Sequence, residues 1–434
     1  MQKKDLIIIS SVSAVVLVCF ILFAFLCERA TSPVVIGSAV SLIPFTIALT
    51  LAARKTINYF NSPMCGFTEQ LGERSKRRLH PRIRLAIFSI AGQLIMIFVI
   101  YLLYTGINGY HGTVFSMYEE LFMQANPHGI GEIAHNAAER FSLIPLLPKA
   151  ISLFSKPLCS RPIAAFILNS LLCSCASVAL YEYLLLDNNK HTSLRAFIVL
   201  YLSPIVVYLL MPLSGASLLL LLSVSSLLAI RKNKPIAAFI FFAFNVATNA
   251  FAVLLIIPLV LSTVKLCISL HRAGEAVLKP VLSASIVLTV LIMLTVLFLA
   301  RYFRPSALLL VYPRGFRFFF ESLGICASRW ITSPSTANAM FVAMAAQLLF
   351  GITMVLSAKR LDLSDSLFLL IWYMLTPLCL NLLQMSVFFL CTCPLLPSAL
   401  CVSARSRRGF LIQTIIMIAA LIVFVSSTFV KRLV

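Results

Sequence analysis

Leu85-Ala-Ile-Phe-Ser-Ile-Ala-Gly-Gln-Leu-Ile-Met-Ile-Phe-Val-Ile-Tyr-Leu-Leu-Tyr-Thr105 is an uncharged apolar run, as long as the ~20 residues that cross a bilayer as a helix. Arg82 and Arg84 precede it, and a polar interval beginning at Gly106 follows it. Cations on one flank and none on the other give the run a direction, because Lys and Arg are retained on the cytoplasmic side. The polar interval after it holds four of the fourteen acidic residues of the chain, Glu119, Glu120, Glu132 and Glu139. An ionised carboxylate next to a bilayer is costly unless it is solvated, paired or used, so this interval is the first candidate site.

The same reading extends to the whole chain. Of 434 residues, 61% are hydrophobic and 11% charged, with a mean hydropathy of +1.01, outside the range of soluble domains. Apolar runs near 6–26, 34–53, 85–105, 162–184, 195–211, 214–230, 235–249, 250–269, 280–300, 336–357, 366–383, 384–402 and 409–430 are candidate spans. The expected fold class is all-α, a polytopic membrane protein of about 11–14 transmembrane helices. Several runs are short or adjoin without a polar gap, which predicts tilts or breaks in the middle of the chain. The start, Met1-Gln-Lys-Lys-Asp before an apolar run from Leu6 to Leu26, has a signal-peptide outline, but that run is of spanning length and no Ala-x-Ala site follows it. It reads as a retained first span.

The net charge of +21 lies in short clusters between apolar runs and not in a stripe, which argues for topology signals and against nucleic acid. Those clusters are Lys3-Lys4, Arg54 to Arg84, Arg231 to Lys234, Lys265 to Lys279, Lys359-Arg360 and Arg405 to Arg408. With all of them inside, the N-terminus is cytoplasmic and residues 106–161 lie outside, provided that Phe141 to Phe154 runs along the membrane surface. Pro145 and Pro148, and a length near half a span, favour that course. The chain then divides into N-terminal helices with a basic cytoplasmic loop 54–84 (1–105), an external loop with interfacial helices (106–161), a central bundle (162–300), a basic external loop (301–335) and C-terminal helices (336–434). Arg301, Arg304, Arg314, Arg317 and Arg329 stand in the second external loop against the positive-inside trend, which suits an anionic lipid or phosphate, or an ordinary interfacial anchor.

Tyr118-Glu-Glu-Leu-Phe-Met-Gln-Ala-Asn-Pro-His-Gly-Ile130 leads an aromatic and two carboxylates into a turn. Such a carboxylate can serve as general base or hold a divalent cation on a phosphate leaving group; it can equally solvate the polar side of a short helix. His111, His128 and His135 match no common ligand spacing, and Cys173-x-Cys175 has no His or acidic partner nearby, so no metal site is assigned. Most of the twelve cysteines, Cys19, Cys173, Cys175, Cys267, Cys379, Cys391 and Cys393 among them, lie in apolar runs and read as small hydrophobes. Arg140, after Glu139, can grip a phosphate or pair locally. Asn169, Asn245 and Asn249 are amides in apolar runs and are expected to face the bundle interior. There is no Walker loop, dinucleotide fingerprint or Gly-x-Ser-x-Gly elbow, which excludes an ATP-driven pump acting by itself. No clear internal repeat of the transporter kind appears.

The order of features from Tyr110 to Leu261 resembles the PIG-V family, the GPI mannosyltransferase 2 family with its bacterial relatives, of the GT-C class of membrane glycosyltransferases. Tyr118-Glu119-Glu120 to Gly129-Ile130 is similar to its aromatic-acidic stretch, and Phe141-Ser-Leu-Ile-Pro145-Leu-Leu147 to its Phe-Pro-Leu-Tyr-Pro-Leu-Leu element. Leu168-Asn169-Ser170, Ser203-Pro204, Leu213-Ser214-Gly215-Ala216-Ser217, Arg231 to Lys234 and Thr248-Asn249-Ala250 follow in the family's order. The family's Glu after Ser is Gly215 here, and its Arg after Thr is Asn249.

The resemblance implies a GT-C-like fold and transfer of mannose or another hexose from a polyprenyl or dolichyl phosphate sugar to a lipid-linked or glycan acceptor at the non-cytoplasmic face. Glu119 or Glu120 would act as base, with Tyr118, His128, Arg140, Ser214, Asn249, Arg301 and Arg304 around the substrates. Such donors require no nucleotide, no cofactor is assigned, and a divalent cation held by the carboxylates is the one candidate. The membrane would be the plasma membrane in a bacterium and the endoplasmic reticulum in a eukaryote. Gly215 and Asn249 keep a second reading open, a non-catalytic membrane partner of such an enzyme; a transporter or flippase for a lipid-linked solute is the third.

Overall fold

The computed structural model describes residues 44–52, 55, 59, 80–123, 144, 146–158, 160–272, 346, 348–378, 390–404 and 407–429, with scattered positions between 274 and 293. The chain forms two compact units, one of residues 1–62 and 297–403, the other of residues 63–296 and 404–434. All regular structure among the described residues is helical, with no strand. Three stretches, Arg82–Gly106, Arg161–Leu184 and Phe251–Arg272, are long and apolar enough to cross a membrane. The expected span at 6–26, most of 280–300 and half of 336–357, like the basic loop 301–335, lie outside the described residues.

In the second unit the expected breaks have local causes. The apolar run 195–211 is divided into helices Lys190–Leu202 and Ile205–Leu210, because Ser203 is extended before Pro204, and proline disfavours α geometry in the residue before it. A 3-10 turn, Pro212–Ser214, and Gly215 at φ +66° then reverse the chain into helix Ala216–Arg231. Only glycine takes that left-handed conformation without steric cost. Helix Pro235–Thr248 is followed by the 3-10 segment Ala250–Leu255 and helix Ile256–Arg272. Helix Leu146–Leu158 has 13 residues, about 20 Å at ~1.5 Å per residue, too short for a hydrocarbon core of ~30 Å. It buries Leu147 and Ile151 against helix Arg161–Leu184 and leaves Leu153, Phe154 and Leu158 exposed.

This bundle has an apolar outer surface, and a set of polar side chains is buried within its apolar interior. Along helix His80–Asn108, Ile83, Ile87, Phe88, Leu94, Ile95, Phe98, Val99 and Leu102 are exposed, while Ser89 and Gln93 are fully buried. Helix Pro235–Thr248 exposes Ile236, Ile240 and Phe244 and buries Asn245. So much exposed apolar surface is not expected of a domain folded in water. The buried polar groups bond across helices: Ser89 with Tyr201, Ser177 with Tyr201 at 3.0 Å, and Ser174 Oγ to Ser89 Oγ at 3.2 Å. Asn169 Nδ2 donates to Leu209 O at 2.6 Å, and Asn169 Oδ1 accepts from Ser217 Oγ at 2.6 Å; Asn245 Nδ2 donates to Ser223 Oγ at 2.8 Å. In apolar surroundings the alternative to such a bond is an unpaired group, at ~1–3 kcal/mol each. Gly92 allows the close approach at this seam, since a Cβ there would stand 3.2 Å from the Tyr201 ring.

Charge gathers at one end of this unit. Glu182, near the end of helix Arg161–Leu184, pairs with Arg82 at 2.6 Å and with Lys232 at 2.8 Å. Asp187 pairs with buried Arg231, whose guanidinium lies 4.7 Å from the Tyr183 ring centre. In the first unit, Lys55 donates to Leu361 O, and Arg360 Nη1 donates to Val402 O at 2.5 Å, closing the C-terminal carbonyls of helix Leu396–Ser403. Burial pulls the Lys55 ammonium below its ordinary range, against the opposing pull of Asp362 and Asp365.

Candidate functional site

The opposite end of the second unit carries the carboxylates. Thr113 caps the short helix Val114–Tyr118 by accepting from Ser116 N at 3.2 Å, and the chain then widens into a π turn, Glu119–Met123. Met117, Tyr118 and Phe122 are fully buried and anchor the turn, whereas Glu119 and Glu120 beside them are half-buried. The Tyr118 ring lies 5.3 Å from Phe122 and edge-on to Phe166 at 5.9 Å. Its hydroxyl donates to Leu210 O at 3.1 Å. Leu210 ends helix Ile205–Leu210, so its carbonyl has no partner within that helix; Tyr118 satisfies it as Asn169 satisfies Leu209. Burial pushes the Tyr118 hydroxyl well above the usual phenol range, so it stays a neutral donor.

The two carboxylates differ. Glu120 Oε1 accepts from Tyr104 Oη at 3.2 Å, and the Tyr104 ring lies 5.1 Å from that of Tyr110. The Glu119 side chain accepts no hydrogen bond among the described residues. Tyr101, one turn before Tyr104, donates to Gly112 O at 3.1 Å. Sequence reasoning passed over both tyrosines, although two tyrosines three residues apart at the end of an apolar run carry the signature of an interfacial anchor.

The π turn packs against Pro212–Ser214, which brings Tyr118, Glu119, Glu120 and Ser214 to one end of the bundle. Ser214 is buried, and its hydroxyl donates toward Tyr208 O at 2.9 Å and Met211 O at 2.7 Å while accepting from Ala216 N at 3.1 Å. Asn249 lies at this end as well, half-buried, with Oδ1 accepting from Phe251 N at 3.0 Å as the cap of the following 3-10 segment. Ile144 N donates to Ala247 O at 3.0 Å, tying the approach to helix Leu146–Leu158 to the same region. His111 is exposed. His128, Arg140, Arg301 and Arg304 lie outside the described residues, as do Glu132, Glu139 and His135.

A half-buried carboxylate at a polar margin, with one neighbour fixed by a tyrosine, can accept a proton from a hydroxyl brought to it. Among the described residues no three His, Cys, Asp or Glu side chains converge as a metal-ligand set. The chain matches no protein-family model, no curated protein and no solved structure.

Proposed function

We propose that the chain is a polytopic membrane protein of about 11–14 spans with a cytoplasmic N-terminus, and that it acts as a GT-C-like, PIG-V-like glycosyltransferase at the opposite face. It transfers mannose or another hexose from a polyprenyl or dolichyl phosphate sugar to a lipid-linked or glycan acceptor. The observation that carries this reading is the half-buried pair Glu119 and Glu120 on a turn anchored by Tyr118, at the end of the bundle away from the Arg82–Glu182–Lys232 ion pairs. The exposed apolar helix faces, and the buried polar groups bonded across helices, support the membrane part.

In the reaction a carboxylate of this pair takes the proton of the acceptor hydroxyl. The acceptor oxygen bonds to the anomeric carbon as its bond to phosphate breaks, and the polyprenyl phosphate leaves with the electron pair. A basic side chain such as Arg140 offsets the charge on that phosphate. The rest is positioning.

The test is transfer in membranes supplied with a polyprenyl phosphate sugar. Glu119→Gln or Glu120→Gln should lower the rate about 10²-fold or more, the scale of a lost general base; full activity in both variants refutes the assignment. One observation favours a second reading, a non-catalytic partner subunit. The side chains of Ser214 and Asn249 are engaged by their own backbone, and Gly215 offers no carboxylate. Co-purification with an active glycosyltransferase, with tolerance of both Gln variants, is its expected signature.

A further inference from the structure

We propose that the charged end of the second unit is a binding surface for anionic phospholipid headgroups; the proposal rests on the membrane part of the reading above and not on the transferase part. Among the described residues of that end the acidic side chains Glu182 and Asp187 are both engaged, by Arg82, Lys232 and Arg231. Around this closed core Arg84, Lys190, Lys234, Arg272, Arg407 and Arg408 are exposed, and no carboxylate pairs with them among the described residues. Helix direction brings them together: Arg84 begins its helix beside Arg82, Lys190 and Lys234 flank the helix ends that hold Asp187 and Arg231, and Arg272 closes helix Ile256–Arg272. The Arg195 guanidinium lies 4.9 Å from the Phe410 ring centre, which sets Arg407 and Arg408 beside the start of helix Lys190–Leu202.

The partner follows from what borders these cations. Ile83, Leu194, Ile236 and Leu411 are exposed on the same helices within four residues of Arg84, Lys190, Lys234 and Arg408. A cationic rim distributed over the helix ends, directly below an apolar belt, fits headgroups whose acyl chains lie against that belt. A nucleic acid calls for a continuous stripe, and a protein partner for an apolar centre, and among the described residues the rim has neither.

The experiment uses the full-length protein purified in neutral detergent, titrated with phosphatidylglycerol or with phosphatidylcholine of the same acyl chains, with binding followed by lipid fluorescence and thermal stability. Phosphatidylglycerol should bind more tightly and raise the melting temperature more, and about 0.5 M salt should remove the difference. The triple variant Lys190→Gln, Lys234→Gln, Arg408→Gln should weaken phosphatidylglycerol binding roughly a hundredfold, about fivefold per charge, with phosphatidylcholine binding unchanged. Lys149→Gln, at the other end, should bind as the parent does. If the triple variant misfolds, Lys234→Gln alone should give the fivefold loss. Equal binding of both lipids by the parent, or undiminished phosphatidylglycerol binding by the variants, overturns the proposal. Release of the protein from membranes by alkaline carbonate would instead refute the membrane reading itself.

Discussion

Glu119 and Glu120 are neighbours in sequence with different surroundings, and that difference is the sharpest feature at the residue scale. Tyr104 holds Glu120, so Tyr104→Phe should leave the fold intact and lower transfer about tenfold, the effect of one hydrogen bond to a charged group at ~1.5 kcal/mol. Retention of the full rate would separate Glu120 from the chemistry. Tyr118 has a structural duty that the sequence alone does not show. Tyr118→Phe strips the Leu210 carbonyl of its donor and should cost ~1–3 kcal/mol, read as a lowered melting temperature in detergent. The carboxylates were legible because acidic residues are rare in so apolar a chain. The hold on Glu120 and on Tyr118 was not, since Tyr104, Leu210 and Phe166 reach them from other segments.

Helix breaks, more than helix lengths, shape the candidate site at the element scale. Hydropathy reads 195–211 as one run, and only Ser203-Pro204 marks the division that frees the Leu209 and Leu210 carbonyls for Asn169 and Tyr118. Gly215 turns the chain into the next helix at φ +66°, with open space where a Cβ would stand, so the cost of substitution is conformational and not steric. Gly215→Ala should destabilise by about 1 kcal/mol. Gly106→Ala, also in open space but with no positive φ and on a helix, should be neutral or stabilise by roughly 0.5–1 kcal/mol. Equal melting temperatures for the two variants would contradict the left-handed turn. The junction of the runs 195–211 and 214–230 without a polar gap predicts a break here, but the three bonds of the Ser214 hydroxyl depend on turns that spacing does not specify.

Across the molecule, the direction set by Arg82 and Arg84 before an uncharged run recurs in the bundle of the second unit. Arg82, Arg231 and Lys232 come from clusters far apart in sequence, yet meet Glu182 and Asp187 at one end, while Glu119 and Glu120 stand at the other. Charge patterning made that polarity legible, because topology is written in where cations fall between apolar runs. The polar seam of Ser89, Ser174, Ser177 and Tyr201 was not, since single hydroxyls inside apolar runs carry no periodic signal. Sidedness tests the account most directly. In a cysteine-free background, His111→Cys and Asn233→Cys place one exposed thiol at each end of the same unit. A membrane-impermeant maleimide applied to the non-cytoplasmic face of sealed membranes should label position 111 at once and position 233 only after permeabilisation. Labelling of both from one face, or of position 233 alone, would contradict the proposed orientation of the bundle and with it the proposed outward-facing carboxylate site.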